Sequence, residues 1–450
     1  AEQQAMKARA IDVNNRIALL EERGVVRRDP GRSRTPSREA IPRRKGEGPA
    51  PLSPRQDRIW LFQEFEPTSP AYAVSFALRL EGVVDLTRLD AALVEVVRRH
   101  APLRTLLPVG TGAPFQQVLD PPDSVLRVED LRSLPEHQIQ TRAIALAEEE
   151  WQRPFDLKSE VPFRVVFFRQ SDTLGHLVTT VHHVGFDGGS LMNYHRDLGL
   201  AYAGGTFEPL RIEYPDFAEW DRHRWSGPTL DEELDFWRSH LEGAPLELDL
   251  PTDRGRGGDE IYSSGVVSRG LGSETAESLR KLLSDEKATK FMALGAAFGA
   301  ALFRFSGQRD FVVGTPVGGR TRPELQGLVG MFVNLLPLRV QVPAEATFRS
   351  LLQTSRAGTL AIMAHQDLPL PFLVQALDPN PAHGRSPVVQ VVVNLLPPLI
   401  PDFGGGGAGG VVPSEPDPEF LALHRDPNSF ELELYGREKD GDLILDLSYD

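Results

Sequence analysis

Cysteine is absent from the 450 residues. That excludes disulfide staples, a catalytic thiol and thiolate metal sites, so any nucleophile is another side chain or a substrate. No apolar run approaches the roughly 20 residues a membrane-spanning helix needs, and the charged start AEQQAMKARA lacks the apolar stretch of a secretory signal. An excess of basic residues is missing too: 49 Lys and Arg stand against 63 Asp and Glu, a net charge of -14. Nucleic acid and anionic membrane repel such a chain, which leaves proteins and small molecules as partners. What is present, 40% hydrophobic and 25% charged residues, is the composition of a folded globular protein. The expectation is a soluble, cytoplasmic chain of two or three domains. Its end at Asp450, straight after the strand-like LILDLSYD, reads as a module of a longer polypeptide.

Residues 1–46 read as a short helix followed by a basic, Pro- and Ser-rich linker with too few apolar groups to offset ordering entropy. From Leu52 the pattern is globular. Ser75 to Leu80, Phe163 to Phe168 and Leu177 to His183 alternate as strands; Asp85 caps a helix with Leu86, Leu89, Leu93, Val96 and Val97 on its apolar face; Ser190 to Ala203 reads as another helix. Residues 209–225 look like a bridge to a second half, which holds helices at Leu230 to Leu241 and Phe291 to Phe305. Strands there are read at Phe311 to Gly314, Leu336 to Val342 and Val388 to Leu396, with a hairpin around Asp440-Gly441. The class is α/β (α+β), in two lobes spanning 47–222 and 223–450, and the glycine-rich stretch within about 397–428 is the loosest internal segment.

One stretch carries chemistry: VHHVGFDGGS, residues 181–190. Along a strand the side chains of His182 and His183 point to opposite faces, so one ring is structural and the other faces a cavity. Gly185, Gly188 and Gly189 then turn Asp187 back toward the strand end. A neutral imidazole is suited to accept a proton near neutral pH. Two histidines on opposite faces without cysteine do not make a metal site, and no G-x-S-x-G elbow marks a serine hydrolase. Ser190 reads as the N-cap of the next helix rather than a nucleophile. For Trp60, Trp220 and Trp237 core or lobe-interface packing is the favoured reading.

HHVGFDGGS resembles the HHxxxDGxS signature of nonribosomal peptide synthetase condensation domains, and the other motifs of that family follow in order. LSPRQDRIWLF (52–62) resembles the opening motif, with Pro54 and Arg55 in place of its usual small residue and Ala. RRHAPLRTLL (98–107), YPDFAEW (214–220), LPTDR (250–254) and GTPVGGRTRPELQGLVGMFVNLLPLR (314–339) are similar to later motifs, the last with Leu335 for the usual Thr. AHQDLPLPF (364–372), with Leu370 and Pro371 for Phe and Glu, and GRSPVVQVVVNL (384–395) complete the set.

The resemblance implies two chloramphenicol-acetyltransferase-like lobes in a V, with a tunnel between them and a latch at about 397–428 crossing from the second lobe to the first. Donor and acceptor carrier domains, beside a neighbouring adenylation domain, would deliver 4'-phosphopantetheine arms from opposite sides, with no cofactor or metal held by this domain itself. The acceptor's α-amine would attack the donor thioester beside His183. Whether that ring is a general base or a positioning group stays open, and a backbone N–H near Gly188 is the candidate oxyanion donor. His182, Asp187, Arg320 and Arg104 would be structural, Asp187 paired with Arg320. Gly189, Ser190, Asn334 and His365 would line the tunnel, although a local hydrogen-bonded turn is an equal reading for His365 and Asp367. Gly189, where many members carry Trp or a similar large group, implies a roomier or more mobile acceptor side. The alternatives are a free-standing acyltransferase using coenzyme A and a degenerate, non-catalytic recruitment platform. An epimerisation domain, whose signature continues differently after DG, and a cyclisation domain, with its paired aspartates, fit less well.

Overall fold

A computed structural model describes residues 40–46, 48–110, 113–252, 265–377, 386–396, 411–414, 430–439 and 441–449. The chain divides into two compact units, Ala1–Ile41 and Pro42–Asp450, and the helices and strands described belong to the second. The expected N-terminal helix and most of the basic linker fall outside the described residues. The linker's last arginines are fastened down: Arg43 donates to the carbonyls of Leu210 and Arg211, and Arg44 to Glu219 and the carbonyl of Pro49.

The first part of the chain runs through α1 (Pro54–Phe65), β1 (Ala73–Glu81), α2 (Leu86–Arg99), β2 (Leu126–Asp130), α3 (Glu136–Gln152), β3 (Phe163–Arg169), β4 (Leu174–His182) and α4 (Gly188–Tyr202). Then come α5 (Tyr214–Arg224), α6 (Pro228–Leu241), β5 (Gly265–Gly270), α7 (Ser273–Glu286), α8 (Lys290–Ser306), β6 (Asp310–Val317) and β7 (Asn334–Gln341). The described elements end with α9 (Phe348–Met363), α10 (Leu370–Leu377), β8 (Val391–Leu395), β9 (Val412–Ser414), β10 (Leu432–Lys439) and β11 (Asp442–Tyr449). Two larger sheets result, ordered β9-β1-β4-β3-β2 and β7-β6-β8-β10-β11-β5, each mixing parallel and antiparallel pairs. The α/β class expected from the sequence is the one observed.

In the first sheet β4 lies in the interior, with Ala73 opposite His182 on β1 and Val181 opposite Phe163 on β3. Helices cover both faces. Val165, Phe167, Leu177 and Val181 pack under α2 and α4, while Val166, Phe168 and Val178 pack against Ala143 and Ala147 of α3. A strand covered on both sides is buried at nearly every position: β3 reads FRVVFFR, and β4 buries His176, Thr179, Thr180 and His182 along with its apolar residues. α2 forms as its pattern predicts: Asp85 accepts the Arg88 amide and Leu89, Leu93, Val96 and Val97 are buried. In the second sheet Phe311, Val391 and Val393 face α8, whose Leu294, Phe298 and Leu302 are buried with them. Trp237 lies in a further core with Leu336 and Ile362.

Two differences from the sequence reading bear on the site. The supposed bridge at 209–225 contains α5, begun by Pro215 in its first turn and burying Tyr214 and Phe217. Between β8 and β10, both in the second sheet, the chain adds β9 to the edge of the first, with Pro413 opposite Leu80. Most of the 397–428 stretch lies outside the described residues. No single helix among the described residues is long and apolar enough to cross a membrane.

Burial of His195 on α4 makes stability depend on pH. Its ring packs against Phe76 and Tyr194, with centroids 5.4 and 5.5 Å away, and burial pushes the imidazole down to about 3. The unfolded chain takes up that proton near pH 6.5, so stability falls as pH drops from there toward 3, by up to about 1.4 kcal/mol per pH unit from this group. Urea unfolding at pH 7 and pH 5 should show a smaller acid loss for His195→Gln than for the parent; equal losses would contradict the assignment.

Candidate active site

The strand carrying the two histidines ends one residue sooner than its alternation suggested. β4 stops at His182 because a tight turn follows, with Gly185 N to His182 O at 3.1 Å, while the His183 amide still reaches the Tyr72 carbonyl at 2.7 Å. The two rings differ sharply. His182 is buried, its Nε2 3.2 Å from Gln63 Oε1 and its Nδ1 accepting the Val184 amide at 3.2 Å. Both nitrogens are therefore spent within the fold, and burial, then the charges of His183 and Arg164, push the ring down to about 3.

His183 is partly exposed, but its Nδ1 is enclosed and has no hydrogen-bond partner among the described residues. The accessible side of the ring is thus the Nε2 side. Tyr72 meets it edge-on at 6.5 Å. Burial lowers its pKa, Arg58 adds to the lowering, and the negative charge of Asp187 opposes it. The result is a neutral imidazole at neutral pH, open at one nitrogen.

Helix α1 holds this turn in place. Ser53 and Gln56 form a capping box, Gln56 N to Ser53 Oγ at 3.2 Å and Ser53 N to Gln56 Oε1 at 2.9 Å. The remaining half of the Gln56 amide donates to the Val184 carbonyl at 2.8 Å. Gln56, Ile59 and Gln63 lie on one buried face, so the helix grips both His182 and the turn after it. The sequence reading missed this role of the two glutamines, and their spacing on one helical face was the available signal.

Asp187 is the N-cap of α4, and Ser190 is not: the Ser190 amide donates to Asp187 Oδ1 at 2.9 Å. Ser190 sits in the helix's first turn. Its buried Oγ is 2.8 Å from Asp187 Oδ1 and 3.0 Å from the Gly330 carbonyl, and receives Arg320 Nη2–H and the Gly330 amide, each at 3.0 Å. It is a knot in the framework and is not placed to line a tunnel. The Asp187 carboxylate accepts both Arg320 Nη1 and Nη2, at 2.9 and 2.8 Å, and the amides of Phe332 and Val333 at 2.9 and 3.2 Å. Burial alone would raise its pKa, but the Arg320 charge and these hydrogen bonds carry it below the ordinary carboxylate value. With every lone pair occupied, Asp187 has no capacity to take a proton.

Arg320 is fixed from several sides: it also donates to the Leu328 carbonyl at 3.2 Å and lies over the Phe332 ring at 4.3 Å. The guanidinium occupies the space beside Gly189. A Cβ on Gly189 would fall 2.4 Å from Arg320 Nη1, so the missing side chain makes room for Arg320 rather than for an acceptor. Gly319, at φ +63°, approaches the Phe332 carbonyl so closely that a Cβ would be 2.0 Å from its oxygen. Gly188 and Gly189 are exposed, and as the first residues of α4 their amides have no acceptor within the helix.

The other expected residues stand apart from this group. Arg104 binds the carbonyls of Val97, Arg98 and Leu119, closing the end of α2. Asn334 is buried, its Nδ2 donating to the carbonyls of Gln366 and Leu368 at 2.9 and 2.7 Å and its Oδ1 accepting the Leu370 amide at 3.1 Å. It clamps a loop, with no group left for a substrate. His365 stacks on Phe236 at 3.5 Å and bonds Glu233 at 2.9 Å, against α6. Further ties went unread: Asn193 donates to the carbonyls of Gln326 and Leu328, and Tyr214 OH donates to the Met331 carbonyl at 2.7 Å. Among the described residues no group of three or more His, Asp or Glu could hold a metal ion.

The model of the Condensation domain family matches residues 47–450. The chain belongs to that family. It is 39% identical over 359 residues to phosphinothricin tripeptide synthetase PhsC of Streptomyces viridochromogenes, across 78% of this chain and 33% of that protein. With a linear gramicidin synthase protein of Brevibacillus parabrevis it shares 32% identity across 91% of this chain and 5% of that protein. The chain thus spans a third or less of these relatives' length. The X-domain from teicoplanin biosynthesis superposes with a TM-score of 0.78 at 25% identity, covering 91% of this chain and 92% of that one. For the first condensation domain of the calcium-dependent antibiotic synthetase, the TM-score is 0.72 at 21% identity, covering 90% and 92%. The protein is a condensation domain, with that fold's two chloramphenicol-acetyltransferase-like lobes.

Removing either member of the Asp187–Arg320 pair, whose side chains are 0% and 9% exposed, leaves a buried charge uncompensated. Asp187→Asn and Arg320→Ala should each destabilise by about 3 to 5 kcal/mol, with the double change costing clearly less than the sum. Gly189→Ala should destabilise the parent and cost much less in the Arg320→Ala background. Urea denaturation of the set decides both points; additive effects would break the assigned coupling.

Proposed function

We propose that His183 is the reacting residue of this domain, and that it joins a carrier-bound aminoacyl or peptidyl thioester to the α-amine of a carrier-bound acceptor. One observation carries the reading: His183 is neutral and open at a single nitrogen, while the adjacent Asp187 is consumed by Arg320, Ser190 and backbone amides. The amine nitrogen attacks the thioester carbon. His183 Nε2 accepts the amine's proton, the carbonyl oxygen becomes an alkoxide beside the free amides of Gly188 and Gly189, and collapse expels the donor arm's thiolate, which takes the proton from His183 to leave as the thiol as the amide forms. The thioester is already activated, so positioning the two arms supplies much of the acceleration, up to roughly 7 to 11 kcal/mol in favourable cases.

The arms are 4'-phosphopantetheine groups on donor and acceptor carrier domains, entering a tunnel between the lobes, with an adenylation domain as neighbour and the cytoplasm as compartment. This domain itself acts as one monomeric module of a larger synthetase, with β9 as the described part of the expected latch. The support is the family membership together with multidomain relatives such as the phosphinothricin and gramicidin synthetases.

Single-turnover assays with both substrates on carrier proteins, read by mass spectrometry, test this. His183→Ala should lose about 10²- to 10⁴-fold in rate with folding intact, whereas His182→Ala should lose stability first. Because burial lowers the His183 pKa, the acid limb of the parent's rate should lie below pH 6.5 and vanish in His183→Ala. Comparable turnover of a small soluble amine would favour the free-standing acyltransferase, and no product from any donor and acceptor pair would favour a recruitment platform.

A further inference from the structure

Arg55, in the segment that resembles the family's opening motif, is buried. Its guanidinium pairs with Asp221 of α5, the two side chains being 4% and 1% exposed, and Nη2 donates to the Asp367 carbonyl at 3.0 Å. Asp221 also accepts Trp225 Nε1 at 3.1 Å. The loop at 366–368 is held on its other sides by Asn334, by Arg224 to Asp367 Oδ2 at 2.9 Å, and by Thr321 to Asp367 Oδ1 at 3.2 Å.

Followed outward from Arg55, these bonds return to it. Arg55 reaches Asp367, and Asp367 is bound to Thr321, the neighbour of Arg320. Arg320 grips Asp187, which lies three residues beyond Val184, and the Val184 carbonyl is held by Gln56, the residue next to Arg55. The circuit runs through 184–187, the residues directly after His183. Without Arg55, α1 would still hold the His183 turn and Arg320 would still hold Asp187, but α1 would lose its direct bond to the Asp367 loop.

We propose that Arg55, charge-balanced by Asp221, is a positioning residue for condensation: it closes a ring of hydrogen bonds that keeps the His183 turn in register with the Arg320 clamp. The inference rests on the assignment of His183 as the reacting residue, but its structural half is testable without activity. Arg55→Ala alone leaves the buried Asp221 charge with only Arg224, 3.9 Å away, so the informative variant is Arg55→Ala/Asp221→Asn, with Arg55→Lys beside it. Hydrogen exchange measured by mass spectrometry on the whole chain should show faster exchange at 182–190 as well as at 366–368 in the double variant. The condensation kcat should fall roughly tenfold to a hundredfold with KM for both carrier-bound substrates unchanged, and Arg55→Lys should recover part of it. Faster exchange confined to 366–368, or an unchanged kcat in a folded double variant, overturns the proposal. Should the double variant fail to fold, Arg55→Lys decides by the same measurement: protection at 182–190 equal to the parent's overturns it. A parent that exchanges as expected but condenses nothing would refute the functional assignment and leave the ring standing.

Discussion

The buried carboxylate of Asp187 is the point on which the site depends. A charge with no access to water is tolerated only when hydrogen bonds replace its hydration. Here those bonds come from both halves of the chain: the Ser190 amide and hydroxyl on one side, Arg320 and the Phe332 and Val333 amides on the other. Desolvation makes the carboxylate demanding. The segments around 187–190 and 318–333 must sit at one separation and one angle to satisfy it, and this requirement sets the position of α4 and of the turn that begins at His183.

Division of labour among the titratable groups comes from that saturation. Asp187 has no lone pair to spare, and His182 has both ring nitrogens engaged by Gln63 and Val184. Of these three groups, His183 alone keeps a ring nitrogen without a hydrogen-bond partner among the described residues. On the proposed mechanism this sparseness suits the reaction, because a thioester needs little electrophilic help and an amine needs chiefly to be held and relieved of a proton. The cost of the framework is carried by residues that never touch a substrate.

Much of the framework was legible because its signals are periodic. The apolar faces of α2 and α8 and the apolar run within β3 follow from burial on one face or on two. α3 escaped notice because it buries Ala143, Ala147 and the Arg-paired Glu150, small or charged groups that leave no hydrophobic stripe. α5 was read as a bridge because Tyr214, Pro215 and Phe217 bury its first turns while ion pairs serve the rest. At the site, the motif pointed to the His183 and Asp187 neighbourhood. It did not show that Gln56 and Gln63 fasten the turn, nor that the Asn334 amide is spent on a loop, since hydrogen-bond partners distant in sequence leave no local pattern.

Two departures from the family's usual residues now fall on the same construction. Gly189 removes a side chain from the place where the Arg320 guanidinium lies, and Arg55 adds one where it reaches the loop beside Thr321. Each change taken alone reads as local variation. Placed in the fold, one lets Arg320 approach α4 closely and the other ties α1 to the loop bonded to the neighbour of Arg320. With Arg320 where it lies in this chain, a Cβ at 189 would fall 2.4 Å from its Nη1, so a larger group there would require the guanidinium to shift, whereas this chain keeps it beside α4 and braces the surrounding loop from α1. Tightness of the clamp, rather than extra room for an acceptor, is therefore the physical consequence of glycine at 189.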